Sequence, residues 1–397
     1  MEAVLNNVPS DHAAFAIADA SSVAFARRGA VDAARRIGLN ETDAGRVALI
    51  VTEAATNILK HASHGEILVR ELCTNAASAP GDTPSGIAVA PAPAPGQASG
   101  QASAQASASR NGTPAAQGGI EVIALDNGPG IHDLHAAFAD GMSSAGTPGN
   151  GLGAMRRLAN DFAIYSQPGS GTAIRAYVQQ GTGALQRASG PDTVDMGGVG
   201  VPYPGEEVCG DAWTVIADAR GLTLLVIDGL GHGPDAHRAA VAGVGVVQSH
   251  RGRAPGELIE RMHDALRPTR GAAAAVARID FETNRVTFAG VGNISASVHG
   301  ADDDAMSVAT GHARARQLVS HNGIVGHTVR KIQEFESPWS RHAMLVMHSD
   351  GVATRWQIEQ YPGLANHSAS LIAAMLYRDY SRRRDDATVV VVKAPNS

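Results

Sequence analysis

Apolar runs bordered by aspartate organise the second half of this chain. Leu222–Asp228 leads straight into Gly229-Leu230-Gly231-His232-Gly233, and Ala343–His348 into Ser349-Asp350-Gly351. Gly210-Asp211 stands just before the run Trp213–Ala217, and Asp385-Asp386 just before Thr388–Lys393. Runs of that length and content are strands, so distant carboxylates are brought to one edge of a sheet. Clustered carboxylates without matching bases are costly, and a cation is the natural compensation. Hard oxygen ligands favour Mg²⁺ or Mn²⁺. Two such ions about 3.5–4 Å apart activate a water for in-line attack on a phosphoryl group. A single Asp-Gly pair more often marks a turn; four beside strand-like runs argue for a site. His232 is either a proton donor or a loop histidine capping a helix.

Further strands are expected at 274–280 and 285–289, with helices over 235–250 and 368–380. Two packed β layers with flanking helices accommodate that order. In the first half, apolar and small residues recur at helical spacing over 21–38 and 41–62. Glu53 and Asn57, four residues apart, point the same way from the second helix. Strands are expected at 66–72 and 120–125. Between them, residues 74–119 are almost wholly Ala, Ser, Pro, Gly, Gln and Thr, too little apolar surface to offset ordering entropy. We read this tract as a disordered insertion in a hairpin loop, because each doubling of loop length costs only about 0.6 kcal/mol. The Gly-rich stretch near 181–200 reads as a linker. The 397 residues thus divide into a domain over 1–180, that linker, and a domain over 201–397.

A net charge of −6 without a basic block excludes the phosphate-neutralising surface of a nucleic-acid binder. Cys73 and Cys209 are far apart and form no CxxC pair, which fits a reducing compartment. The N-terminus carries no signal-peptide pattern and no run of about 18 apolar residues follows. A cytoplasmic protein without membrane contact is expected.

Four features of the first half suit ATP with Mg²⁺. Asp126-Asn127-Gly128-Pro129-Gly130-Ile131 follows a strand, Gly149-Asn150-Gly151-Leu152-Gly153 opens a helix, and Gly169-Ser170-Gly171-Thr172 precedes a last strand; Glu53 and Asn57 are the fourth. Gly151 and Gly153 let backbone approach a polyphosphate at a helix N-terminus. Asn57 offers a neutral oxygen to hydrated Mg²⁺. Asp126 can accept from an adenine amino group, and Glu53 can orient or deprotonate an attacking hydroxyl. Gly128 and Gly130 are counted with the cofactor-binding glycines.

The runs VTEAATNILKHA (51–62), DNGPGI (126–131), GNGLGAMRRLANDF (149–162) and SGTAI (170–174) resemble the RsbT-like branch of the GHKL-type anti-sigma serine kinases. That resemblance implies an α/β sandwich and phosphorylation of a serine on a small STAS-domain antagonist protein. It makes Glu53 the base, gives Mg²⁺ to Asn57 and adenine to Asp126, and puts Thr172 on the adenine side. The second half resembles the SpoIIE-like and RsbX-like branch of the metal-dependent type 2C protein phosphatases, on DGLGHG (228–233), SDG (349–351) and DDAT (385–388). This implies an α-β-β-α sandwich with two Mn²⁺ or Mg²⁺ ions. Asp228 would bridge them, with the Gly229 carbonyl, Asp211, Asp350 and Asp386 completing the shells; Asp385 is the alternative to Asp386. GVGNI (290–294) matches the family's strand-turn region without a catalytic role.

The expected protein is a bifunctional partner-switching regulator, a serine kinase fused to a phosphoserine phosphatase. Its partners would be a STAS-domain antagonist and a further phosphatase or sigma-pathway regulator. The alternative is a nucleotide-binding switch that gates the phosphatase or holds an anti-sigma or sigma partner without transferring phosphate. Nothing in the sequence sets an oligomeric state.

Overall fold

A computed structural model describes residues 11–62, 64–73, 118–138, 151–183, 194–300 and 315–394. In the first half, β1 (Ala13–Ile17), β2 (Gly65–Cys73), β3 (Gly118–Asp126), β4 (Asp161–Ser166) and β5 (Thr172–Gln179) form one antiparallel sheet, in the order β1-β2-β3-β5-β4. β2 and β3 pair along their full length, from Gly65 opposite Asp126 to Cys73 opposite Gly118. The low-complexity tract therefore interrupts a hairpin. Residues 74–117 lie outside the described residues, and Gly118 and Gly119 belong to β3, which corrects the end of the insertion. Gly119 is required there because a Cβ would stand 2.2 Å from the Tyr177 hydroxyl oxygen.

Helices α1 (Ala20–Arg36), α2 (Glu41–His61), the short α3 (Leu134–Phe138) and α4 (Gly151–Leu158) lie on one side of this sheet. Asp19 caps α1 by accepting from the Ser22 amide at 2.8 Å, and Asn40 caps α2 by accepting from Asp43 at 2.9 Å. Ala26, Ala30, Val47, Ile50, Val51 and Ile58 pack on Ile67, Val69, Ile120 and Val122. Alternation along β3 sends Ile120, Val122 and Ala124 to the helices, and Glu121, Ile123 and Leu125 to the opposite face.

The second half is a sandwich. It comprises β6 (Asp195–Val201), β7 (Asp211–Asp218), β8 (Gly221–Gly229), α5 (Pro234–Ser249), α6 (Pro255–Ala265), β9 (Ala272–Asp280), β10 (Arg285–Val291), β11 (Ser295–His299) and β12 (Arg316–Leu318). After the two-residue strands β13 (Gly323–Ile324) and β14 (Thr328–Val329) come β15 (Phe335–Pro338), β16 (Met344–His348), α7 (Ala369–Tyr380) and β17 (Ala387–Lys393). One sheet is ordered β15-β10-β9-β8-β7, the other β12-β11-β16-β17-β6. Trp213, Leu224, Phe288, Leu345 and Val390 fill the space between them. α5 and α6 cover the first sheet, and α7 the second.

Part of the expected linker is a strand. β6 pairs with β17 from Asp195 opposite Lys393 to Val201 opposite Ala387, so the sandwich begins by residue 195. Its glycines are packing requirements: a Cβ on Gly197 would stand 2.3 Å from the Ser370 nitrogen, and one on Gly198 3.0 Å from the Trp213 ring. They let α7 and an indole approach the strand, a role that composition alone presents as flexibility.

α7 is buried on both sides. Ala369 to Tyr377 are all buried, with Leu371, Ile372, Met375 and Leu376 sharing one cluster with Val199, Val389 and Val391 of the sandwich and Leu68, Ile123, Leu125 and Tyr165 of the first sheet. A helix apolar all round needs a neighbour on every side. The layers through the molecule are accordingly helices, sheet, α7, sheet, sheet, helices.

Beside α7 the first sheet carries charge into the junction. Glu121 is fully buried and accepts from Arg70 Nη2 at 2.6 Å and from Arg175 Nε at 2.5 Å. The Arg70 guanidinium lies 5.3 Å over the Trp213 ring. His12, also fully buried, donates its amide to the Gly200 carbonyl at 2.8 Å and sets Nε2 3.6 Å from Glu121. Burial alone would raise the Glu121 pKa; Arg70 and Arg175 outweigh it and hold the carboxyl well below its usual range. Glu121→Ala strands the buried Arg70, while Arg175 keeps Asp161 at 2.6 Å, and is expected to cost about 3–5 kcal/mol, read as a lower urea midpoint; an unmoved midpoint would refute this account of the network. Since its folded pKa is depressed, the stabilisation from Glu121 is present above the unfolded value near 4.5 and fades as pH falls through the folded one.

Candidate active sites

α2 carries Val47, Ile50, Val51, Ala54, Ala55 and Ile58 on its buried face, leaving Glu53 and Asn57 half-buried beside it. Both look onto the first turn of α4. A Cβ on Gly151 would stand 2.9 Å from Glu53 Oε2 and 3.5 Å from Asn57 Nδ2. The structure thus brings a carboxylate and a neutral amide together beside the first residue of α4. Gly153 is buried within α4. Gly149 and Asn150 lie outside the described residues.

Asp126 ends β3 opposite Thr172, the first residue of β5. Its Oδ1 accepts from the Gly128 amide at 2.8 Å. Burial raises its pKa, while the Gly128 and Thr172 amides pull the other way. Thr172 Oγ1 lies 2.9 Å from Ser166 Oγ, which accepts from the Ile131 amide at 2.8 Å. Gly128 and Gly130 have packing reasons of their own. A Cβ on Gly128 would meet that of Ala62 at 2.8 Å, and one on Gly130, at φ +69°, would meet the Gln167 carbonyl oxygen at 2.2 Å.

In the sandwich, Asp211 opens β7 directly opposite Asp228 at the end of β8. Ser349 and Asp350 follow β16, and Asp386 precedes β17. A Cβ on Gly351 would stand 1.9 Å from the Asp386 carbonyl oxygen, and one on Gly210 2.6 Å from Asp386 Oδ2. These glycines let the ends of both sheets meet. Gly229 faces the first turns of α5, where a Cβ would clash with the Ala236 carbonyl oxygen at 2.1 Å.

The electrostatics are those of crowded acids. Burial, then Asp350, Asp385 and Asp386, push the Asp228 pKa up to about 8. Burial and Asp228 push Asp211 well above the carboxylate range, against hydrogen bonds from Ser349 and Thr388. Protons or bound cations would relieve repulsion among these buried carboxylates. Asp211 Oδ2 and Asp386 Oδ2 are buried without hydrogen-bond partners, a donor set that fits hard divalent cations. Among the described residues no three His, Cys, Asp or Glu side chains stand close enough together to hold a metal ion as they are placed.

Asp386 also accepts from the Tyr203 amide at 2.8 Å, and Asp385 accepts from the Asp386 amide at 2.9 Å. Asn293, which sequence reasoning left without a role, donates to Asp350 Oδ2 at 2.6 Å and also bonds Asp228. The GVGNI turn that carries it was the available signal. His232 is half-exposed at the rim, with Nδ1 2.7 Å from Glu206 Oε1 and its ring stacked on Tyr203 at 4.6 Å.

Comparison with known proteins gives a separate match to each half of the chain. Residues 16–178 match the histidine kinase-like ATPase domain model, and residues 218–395 match the model of stage II sporulation protein E (SpoIIE). The first half thus matches a histidine kinase-like ATPase domain, and the second half a SpoIIE domain of the type 2C serine/threonine phosphatase kind. Among curated relatives from Bacillus subtilis (strain 168), the phosphoserine phosphatase RsbX is 24% identical over 192 residues, 47% of this chain and 88% of RsbX. The serine/threonine-protein kinase RsbT is 25% identical over 154 residues, 39% of this chain and 86% of RsbT. A crystal structure of RsbX in complex with magnesium superposes with a TM-score of 0.45 at 22% identity, covering 53% of this chain and 99% of that one.

Mn²⁺ should relieve the carboxylate repulsion and stabilise the fold by about 2.7 kcal/mol at a hundredfold excess over Kd, read as a higher thermal midpoint. Gly351→Ala forces Asp386 away, and titration calorimetry should show Mn²⁺ affinity reduced by about tenfold or more. Equal affinity in that variant would separate Asp386 from the metal.

Proposed function

We propose that the protein is a bifunctional partner-switching regulator: an ATP-dependent serine kinase and a Mn²⁺- or Mg²⁺-dependent phosphoserine phosphatase in one chain. The observation that carries this reading is that both acid constellations are assembled together, Glu53 with Asn57 at the mouth of α4, and Asp211, Asp228, Asp350 and Asp386 at the sheet ends. The protein substrate is a STAS-domain antagonist of an anti-sigma factor, presented as serine to one site and phosphoserine to the other; a further phosphatase or sigma-pathway regulator shares that circuit. The names of the two Bacillus relatives, a phosphoserine phosphatase and a serine/threonine-protein kinase, support the pairing of the two activities. Among the described residues no helix is long and apolar enough to cross a membrane, and the reading places the protein in the cytoplasm.

In the kinase reaction Glu53 accepts the proton of the serine hydroxyl while the N-terminus of α4 faces the transferred phosphoryl group. Asn57 would hold Mg²⁺, Asp126 would receive the adenine amino group, and Thr172, bonded to Ser166, would line the adenine side. In the phosphatase reaction Asp211, Asp228, Asp350, Asp386 and the Gly229 carbonyl would hold the two cations, which supply water activation and charge neutralisation. Asn293 fixes the Asp350 carboxylate, and the Thr388 amide donates to Ser349 Oγ at 3.0 Å. His232, tied to Glu206, stands where a phosphoprotein would enter.

With a STAS partner, ATP and Mn²⁺, Glu53→Ala is expected to lower phosphate incorporation by about 10²-fold or more. Asp228→Ala is expected to block release of phosphate from phosphoserine to a similar degree. If neither variant changes either rate, the assignment is wrong. Tight ATP binding without phosphoserine product in a single turnover would instead favour the nucleotide-switch reading.

A further inference from the structure

The C-terminal end of α7 touches both sites. Arg378 lies on α7, in the phosphatase half, with its side chain only 4% exposed. It crosses the junction to donate Nη1 to the main-chain carbonyl of Asp126 at 2.8 Å. A bidentate pair with Asp379, at 2.7 and 3.0 Å, fixes its plane, and Tyr361 donates to the same Asp379 carboxylate at 2.6 Å. The same carbonyl oxygen packs against Gly171, where a Cβ would stand 2.0 Å from it. Any shift of Asp126 about its bound base would be felt by Arg378.

From Arg378 the chain runs eight residues to Asp386, and it is stitched to the metal-site turn throughout. Ala353 donates its amide to the Tyr380 carbonyl at 2.9 Å, Ser381 bridges Val352, and Arg382 donates its amide to the Gly351 carbonyl at 2.8 Å. Gly351 in turn packs on Asp386 with no space for a Cβ. A second tether starts nearby: Arg383 bonds Glu66 of β2 at 2.9 and 3.0 Å and the Tyr377 hydroxyl at 2.8 Å. The junction is nonetheless not filled. A cleft of about 380 Å³, lined by Ala62, Glu66, Asp126, Asn127, Arg378 and Arg383, leaves the segment after Asp126 space to move.

We propose that nucleotide occupancy at Asp126 is transmitted by Arg378 and residues 379–386 to the Asp350 and Asp386 carboxylates, so that the ATPase half sets the activity of the phosphatase half within one chain. Arg378 is a positioning residue in this scheme. It touches neither phosphoryl group; it ties the backbone of the base-reading residue to the backbone that presents the metal ligands. The proposal rests on the reading that the first half binds ATP. Such coupling is a difference in nucleotide affinity between two arrangements of the junction, and packed helices switch between discrete arrangements more readily than they deform.

The test uses the full-length chain, hydrolysis of p-nitrophenyl phosphate at fixed excess free Mn²⁺, and a non-hydrolysable ATP analogue whose binding is measured separately by calorimetry. In the wild type, saturating analogue should change the hydrolysis rate by about fivefold or more in one direction, the lower range of measured allosteric couplings. Arg378→Gln should bind the analogue yet bring the ratio of rates with and without it close to one, and Arg378→Lys, which keeps a donor, should recover part of the response. Asp126→Asn should abolish the response, which rules out chelation of Mn²⁺ by the analogue. Should Arg378→Gln fail to fold, hydrogen exchange of the wild type serves instead: the analogue should alter protection over 379–388. Analogue bound to the wild type with an unchanged rate and unchanged exchange would overturn the coupling alone. Absence of analogue binding would overturn the ATP reading, and the coupling with it.

Discussion

Everything in this molecule is arranged around the burial of α7 on two opposite sides. An apolar helix with no polar face has to be covered completely, and here one cover is β6 and β17 of the sandwich while the other is the outer face of the ATPase sheet. Burying a side chain of the size of Leu371, Ile372, Met375 or Leu376 contributes about 1.5–3 kcal/mol, so the two halves share a core, where domains on a flexible tether would each close their own. That constraint explains Gly197, which has to be small for Ser370 to reach β6. It also explains why Leu68, Ile123 and Leu125 can be apolar on the face of a sheet that its own helices do not cover.

The same junction contains charge, and the charge gives it register. A purely apolar contact tolerates sliding; Glu121 between Arg70 and Arg175 does not, because a small displacement would leave buried ions unpaired. Trp213 places its ring under Arg70, and His12 threads from Gly200 to Glu121, so the N-terminal segment, the ATPase sheet and the sandwich are fixed at one locus. Asp11 continues the contact by accepting from the Cys209 amide at 3.3 Å, next to the strand that begins with Asp211.

Inside the phosphatase half the opposite logic holds. Asp211 and Asp228 face each other across the strand pair, and burial together with repulsion from neighbouring carboxylates favours the protonated forms of these two. Two kinds of buried acid therefore coexist: Glu121 neutralised by the protein's own bases, and the sheet-edge aspartates left for an external cation. Sequence separates them poorly, since IEVIAL and LLVIDG both read as an apolar run containing one acid. What distinguishes the second is the glycine after the aspartate, which marks the end of the strand and hence a carboxylate at an edge.

The sequence by itself determined the elements and where the candidate site residues stand along them. Period-2 and period-3.6 patterning marked α2, the hairpin strands, β8, β16, β17 and α7, and the acids at strand ends and helix faces named Glu53, Asn57, Asp126, Asp211, Asp228, Asp350 and Asp386, because each is local information about where a run stops or which face a residue occupies. Tertiary structure alone decided the rest. DMGGVGV is a strand because its glycines face Ser370 and Trp213, and Gly118-Gly119 are strand because Tyr177 lies over them. Asn293 joins the metal-site acids, and Arg378 reaches Asp126 across 252 residues of chain. None of these is encoded in a neighbourhood of the chain; each depends on which surface is folded against it, and a glycine, an asparagine or an arginine carries no mark of the partner it will meet.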